Sequence, residues 1–75
     1  MQPVKLTHER IKKLVYGLKS LNEDQRALVE TTLGDLSRQH GEIWPKDLHE
    51  ALRHLRSEFK ISEIDAEDIT SALFP

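Results

Sequence analysis

The sequence predicts an all-α fold, a small single-domain bundle of four helices. Three observations point there. Apolar residues recur three and four apart in successive stretches, the period of helices that each bury one face. Residues suited to helix N-caps, namely Thr7, Asn22 and Asp65, stand ahead of three of those stretches. The segment Gly41-Glu42-Ile43-Trp44-Pro45-Lys46-Asp47-Leu48 joins the two most regular patterns, with a helix-stopping glycine shortly before a helix-starting proline.

The 75 residues make one domain, 1–75, with 37% hydrophobic and 32% charged residues. That composition suits a folded helical domain rather than disorder. A domain this small draws only a few kcal/mol from its core, so regular helices or a partner matter. There is no cysteine, which removes disulfides and thiolate chemistry. A cytoplasmic location is the expectation: Met1 to Lys5 lead into no signal-peptide core, and no apolar run reaches the roughly 18 residues of a membrane span. The net charge of −2 argues against strong non-specific nucleic-acid binding. Charge is nevertheless unevenly spread. The front carries Lys5, Arg10, Lys12, Lys13 and Lys19, the back Glu58, Glu63, Asp65, Glu67 and Asp68. This reads as two solvated helix faces or as mutual steering, within a chain or between two chains.

Residues 1–6 form an extended lead-in, with Pro3 blocking an early helix. Thr7 caps a first helix over about 8–20, with Ile11, Leu14, Val15, Leu18 and Leu21 at helical spacing. Gly17 within it either allows close approach of a neighbouring helix or sits on the surface. Asn22 caps a second helix over about 23–39, its inner face Leu28, Val29, Thr32, Leu33 and Leu36, ending at Gly41. Pro45 opens a third over about 45–59, where Leu48, Ala51, Leu52, Leu55 and Phe59 form the cleanest apolar arc in the chain. Ile61 and Ile64 anchor the connection that follows. Asp65 caps a last helix over about 66–73, with Ile69, Ala72 and Leu73 inward and Phe74 packing back. The expected core comprises Ile11, Leu14, Leu18, Val29, Leu33, Leu36, Ile43, Leu48, Leu52, Leu55, Phe59, Ile69 and Leu73. Trp44 either closes the core between the second and third helices or stands partly exposed as a partner anchor.

Catalytic patterns fail on spacing. His49 and His54 are five apart, whereas two histidines on one helix converge on zinc at a spacing of four, so no metal is expected. No nucleophile elbow and no phosphate-binding glycine loop occurs. The carboxylates Asp65 and Asp68 open a helix, where its dipole favours them. No cofactor and no enzymatic activity is expected. The third helix carries one ordered surface feature: His49, Arg53, Arg56 and Lys60. Their spacing would align them within about 60° beside the apolar arc, a row able to meet phosphates or an acidic protein surface. Lys46 and Glu50 are placed to pair nearby. The candidate partner-binding residues are therefore Trp44, His49, Arg53, Arg56 and Lys60.

The segment from Gly41 to Leu48 resembles the second half of an EF-hand loop and its outgoing helix. Gly41 stands at the sharp turn, Ile43 where that family forms a short backbone pairing, and Asp47-Leu48 where an acid closes the loop. The resemblance covers about half the chain and implies helix-loop-helix geometry. It does not imply calcium binding, because Leu36, Arg38 and His40 stand where oxygen ligands belong. The third and fourth predicted helices also resemble a helix-turn-helix, but the reading helix would open Asp65-Ala66-Glu67-Asp68, which phosphate repels. The expected function is a non-enzymatic protein-protein interaction or regulatory module with a protein partner. The alternatives are a nucleic-acid-associated regulator and a self-associating, homo-oligomeric structural domain.

Overall fold

The computed structural model describes residues 2–75, which form a bundle of four helices: α1 (His8–Gly17), α2 (Glu23–His40), α3 (Pro45–Ser57) and α4 (Glu63–Leu73). Met1, the first residue of the expected lead-in, lies outside the described residues. The 18 residues of α2 make a rod of about 27 Å, matching the longest dimension of the molecule, 26 Å. This helix is the spine: α1 packs on it, α3 packs on it, and α4 packs on α3. The lead-in is tied to the α2–α3 connection by one antiparallel bridge. Val4 N–H donates to the Ile43 carbonyl at 2.9 Å, and Ile43 N–H donates to the Val4 carbonyl at 2.7 Å.

Local capping explains most boundaries. Thr7 Oγ1 accepts from Arg10 N at 3.2 Å. Asn22 and Gln25 form a reciprocal capping box. Gly41 ends α2 in the left-handed region at φ 73°, which glycine enters without steric cost. Pro45 opens α3 where its missing N–H leaves no bond unmade.

Three boundaries depart from the periodicity. α1 stops at Gly17 rather than near residue 20, because Leu18 turns extended (φ −87°, ψ 92°). A tight turn from Leu18 to Leu21 then delivers Leu21 to the core from outside the helix. No atom lies near where a Cβ on Gly17 would sit, so this glycine mediates no helix approach. α3 stops at Ser57 rather than 59. Phe59 N–H donates to the Arg56 carbonyl at 3.0 Å and Lys60 N–H to the Leu55 carbonyl at 2.9 Å, a Schellman closure of the helix end. Phe59 occupies its left-handed position at φ 59°, normally taken by glycine. The expected core role of Phe59 is therefore wrong: the turn throws its ring outward to 94% exposure, and Ile61 fills the interior at 5%. α4 starts at Glu63, not 66, because Ser62 rather than Asp65 is the cap. Ile64 consequently lies on the outer face of a helix, 67% exposed, instead of anchoring a loop. Ala72 also faces outward, while Ala66 takes an inner position.

The core otherwise forms where the apolar pattern places it, around Ile11, Val29, Leu33, Ile43, Leu48 and Ile69. Leu14, Leu18, Leu36 and Phe74 are half-buried against it. No described helix is long and apolar enough to cross a membrane.

Candidate interaction surface at the end of α3

The apolar arc of α3 buries Leu48, Leu52 and Leu55. With that side committed, His49, Arg53 and Arg56 project to solvent beside the line where α3 meets α4. They line one wall of an open groove of about 390 Å³; Glu63 and Glu67 of α4 line the other. The groove thus has a basic and an acidic wall, and no ion pair joins them among the described residues.

The tertiary structure groups only part of the predicted row. Lys60 falls in the Schellman turn beyond α3, so the helical register ends at Arg56. The Lys60 carbonyl accepts from Gln25 Nε2 at 3.1 Å, which fastens that turn to the start of α2. Trp44 is the N-cap of α3 and is 43% exposed, so it is not a closed core residue. It stands about 18 Å from Arg56 along the helix axis and does not share the arginines' surface. Lys46 and Glu50 do not form the expected pair. Among the described residues Arg38 pairs with Asp35, and three histidines stand close to carboxylates: His8 to Glu30 at 3.9 Å, His40 to Asp47 at 3.9 Å and His54 to Glu58 at 3.4 Å.

Two participants escaped the sequence pattern. Phe59 reads as the last residue of an apolar arc, and only the left-handed turn reveals it as a surface ring. The acidic wall follows from the earlier start of α4, which the Ser62-x-x-Asp65 capping-box spacing does signal. In that box Ser62 N–H donates to Asp65 Oδ2 at 3.1 Å and Asp65 N–H donates to Ser62 Oγ at 3.1 Å. Ser20 Oγ adds a third bond, to Asp65 Oδ1 at 2.7 Å, from the α1–α2 turn. Asp65 is only 5% exposed. Burial pushes its carboxyl pKa up, but the bonds from Ser20 and Ser62 together outweigh that and hold it below the ordinary 3.8. Its role is therefore to clamp the base of α4 to the α1–α2 turn, while Asp68 stays exposed; the two carboxylates share no site.

Among the described residues no three His, Asp or Glu side chains gather where they would hold a metal ion. Leu36, Arg38 and His40, which precede the Gly41 turn, are still within α2. Added calcium is expected to leave the melting temperature unchanged; a rise on titration would show that this segment rearranges to bind the ion. No family model matches the chain, and neither a curated protein nor a solved structure shows significant similarity to it.

Proposed function

We propose that this chain is a non-enzymatic protein-interaction module of the cytoplasm, and that it docks a partner segment carrying acidic and apolar side chains at the C-terminal end of α3. The observation that carries this is Phe59. Its ring is 94% exposed and contributes almost nothing to the core. Its backbone is left-handed, a conformation that costs a residue with a side chain about 1–2 kcal/mol. A glycine there would remove the strain, so the value of the ring lies outside the fold. Ile64, 67% exposed, flanks the other end of the same connection. Arg53 and Arg56 stand one to two turns before it on α3 and offer planar, two-point recognition of carboxylates. An exposed aromatic beside arginines is the composition that dominates binding energy at protein interfaces.

The test separates binding from stability. Phe59→Gly is expected to stabilise the fold by about 1 kcal/mol, raising the melting temperature by about 4–8 °C, while weakening capture of partners from extracts of the native host. Arg53→Glu/Arg56→Glu is expected to weaken the same capture with an unchanged circular dichroism spectrum. Partners retained in full by both variants would remove this surface from the function.

A further inference from the structure

α1 and α4 each leave an outer helix face that the bundle does not use. On α1 that face carries Lys12 and Lys13, followed one turn later by Tyr16, which is 57% exposed. These residues share one open hollow with Glu9. The Arg26 guanidinium lies 5.7 Å from the centre of the Tyr16 ring and braces it from α2. On α4 the outer face carries Ile64, 67% exposed, followed one turn later by Glu67 and Asp68. None of Lys12, Lys13, Glu67 and Asp68 has an ion-pair partner in its own chain among the described residues.

The two faces are complementary in sign and also in register. Both patterns place an apolar side chain about 5 Å along the axis from a charged pair, with opposite polarity along the chain. If α1 of one molecule lies antiparallel on α4 of another, Tyr16 meets Ile64, Lys13 meets Asp68 and Lys12 meets Glu67. The same register sets Glu9 against Ser71, a hydroxyl able to donate to it, rather than against an acid. A parallel arrangement would put the lysines on Ile64 and leave the acids facing Tyr16.

We infer that the partner of these two faces is a second copy of this chain, joined through an antiparallel α1–α4 contact centred on Tyr16 and Ile64. One pair of short helices buries less than the roughly 800 Å² per partner of a standard interface. Assembly is therefore weak and salt-sensitive, appearing only at high protein concentration. The contact does not include Arg53 or Arg56, although Glu67 and Ser71 also line the groove beside them and Ile64 also borders the proposed docking surface.

Sedimentation velocity at low salt should show the mean mass rising above 8.7 kDa as the concentration goes from about 10 μM to about 1 mM, and returning to the monomer value in about 0.5 M salt. Lys12→Glu/Lys13→Glu alone and Glu67→Lys/Asp68→Lys alone should each remain monomeric. An equal mixture of the two should associate again, because one pairing between them is native and the other has its charges exchanged. Ile64→Asp, at an already exposed position, should abolish association independently, and Arg53→Glu/Arg56→Glu should leave it intact. A wild-type chain that stays monomeric at the highest concentration, or a mixture of the two charge variants that stays monomeric, overturns the inference. So does loss of association in the Arg53→Glu/Arg56→Glu variant.

Discussion

Replacing Leu33 with alanine is expected to cost about 3 kcal/mol, within the range for truncating a buried leucine. Leu33 is 0% exposed on α2, the helix against which both α1 and α3 pack. The removed methyl groups therefore leave a hole at a meeting of elements that cannot close independently. A 75-residue domain has a total stability of about 4–11 kcal/mol, so one substitution would consume a large part of it. In urea denaturation the midpoint should fall by about 3 M, taking a slope of about 1 kcal/mol/M for so small a protein. Leu36→Ala, on the same helix but half-buried, provides the control and should cost about 1 kcal/mol. Equal losses at the two positions would show that α2 is not the spine of the core.

Asp65→Ala is expected to cost about 2 kcal/mol, through two losses. One is the capping box that starts α4, worth about 1 kcal/mol. The other is the charge-assisted bond from Ser20, which links two segments 45 residues apart. The cost stays moderate because Ser20 and Ser62 both lie at the surface and their freed donors reach water. The pH dependence identifies the mechanism. The carboxyl pKa is depressed in the folded state below its ordinary 3.8, so the unfolded chain binds the proton more readily. The stabilisation is present in full above the unfolded value and disappears as pH falls through the lower, folded one. The stability gap between the wild-type protein and Asp65→Ala should thus be constant from neutral pH to about 5 and shrink below the unfolded pKa. A gap independent of pH down to about 2 would mean that the ionised carboxylate is not what holds the two segments.

Asp65 also shows how far the sequence could be read. Its place in a helix opening is local and legible, and the spacing from Ser62 marks the capping box. Its burial against Ser20 is not legible, since nothing near either residue announces a partner 45 positions away. The same division runs through the candidate surface. The exposure of His49, Arg53 and Arg56 follows from the periodicity of α3, because the apolar arc fixes which side is wet. Lys60 fits that periodicity equally well, yet the helix has already ended. Phe59 leaves the core for the same reason. Extrapolating a helical period assumes the helix continues, and the left-handed turn that stops it uses no glycine.

Sequence alone determined the all-α class, four helices, the α2–α3 joint at Gly41 and Pro45, and most of the core. These rest on local physics: backbone conformations open to glycine and proline, cap oxygens within a few residues of free N–H groups, and apolar side chains three or four apart. Tertiary structure decided where α1 and α3 stop, that Val4 pairs with Ile43, that Asp65 is a buried clamp, and that Phe59 and Ile64 face solvent. Those outcomes depend on contacts between distant segments competing for a small interior. The core of this chain accommodates Ile61 behind the α3 turn, and the ring of Phe59 is left outside it.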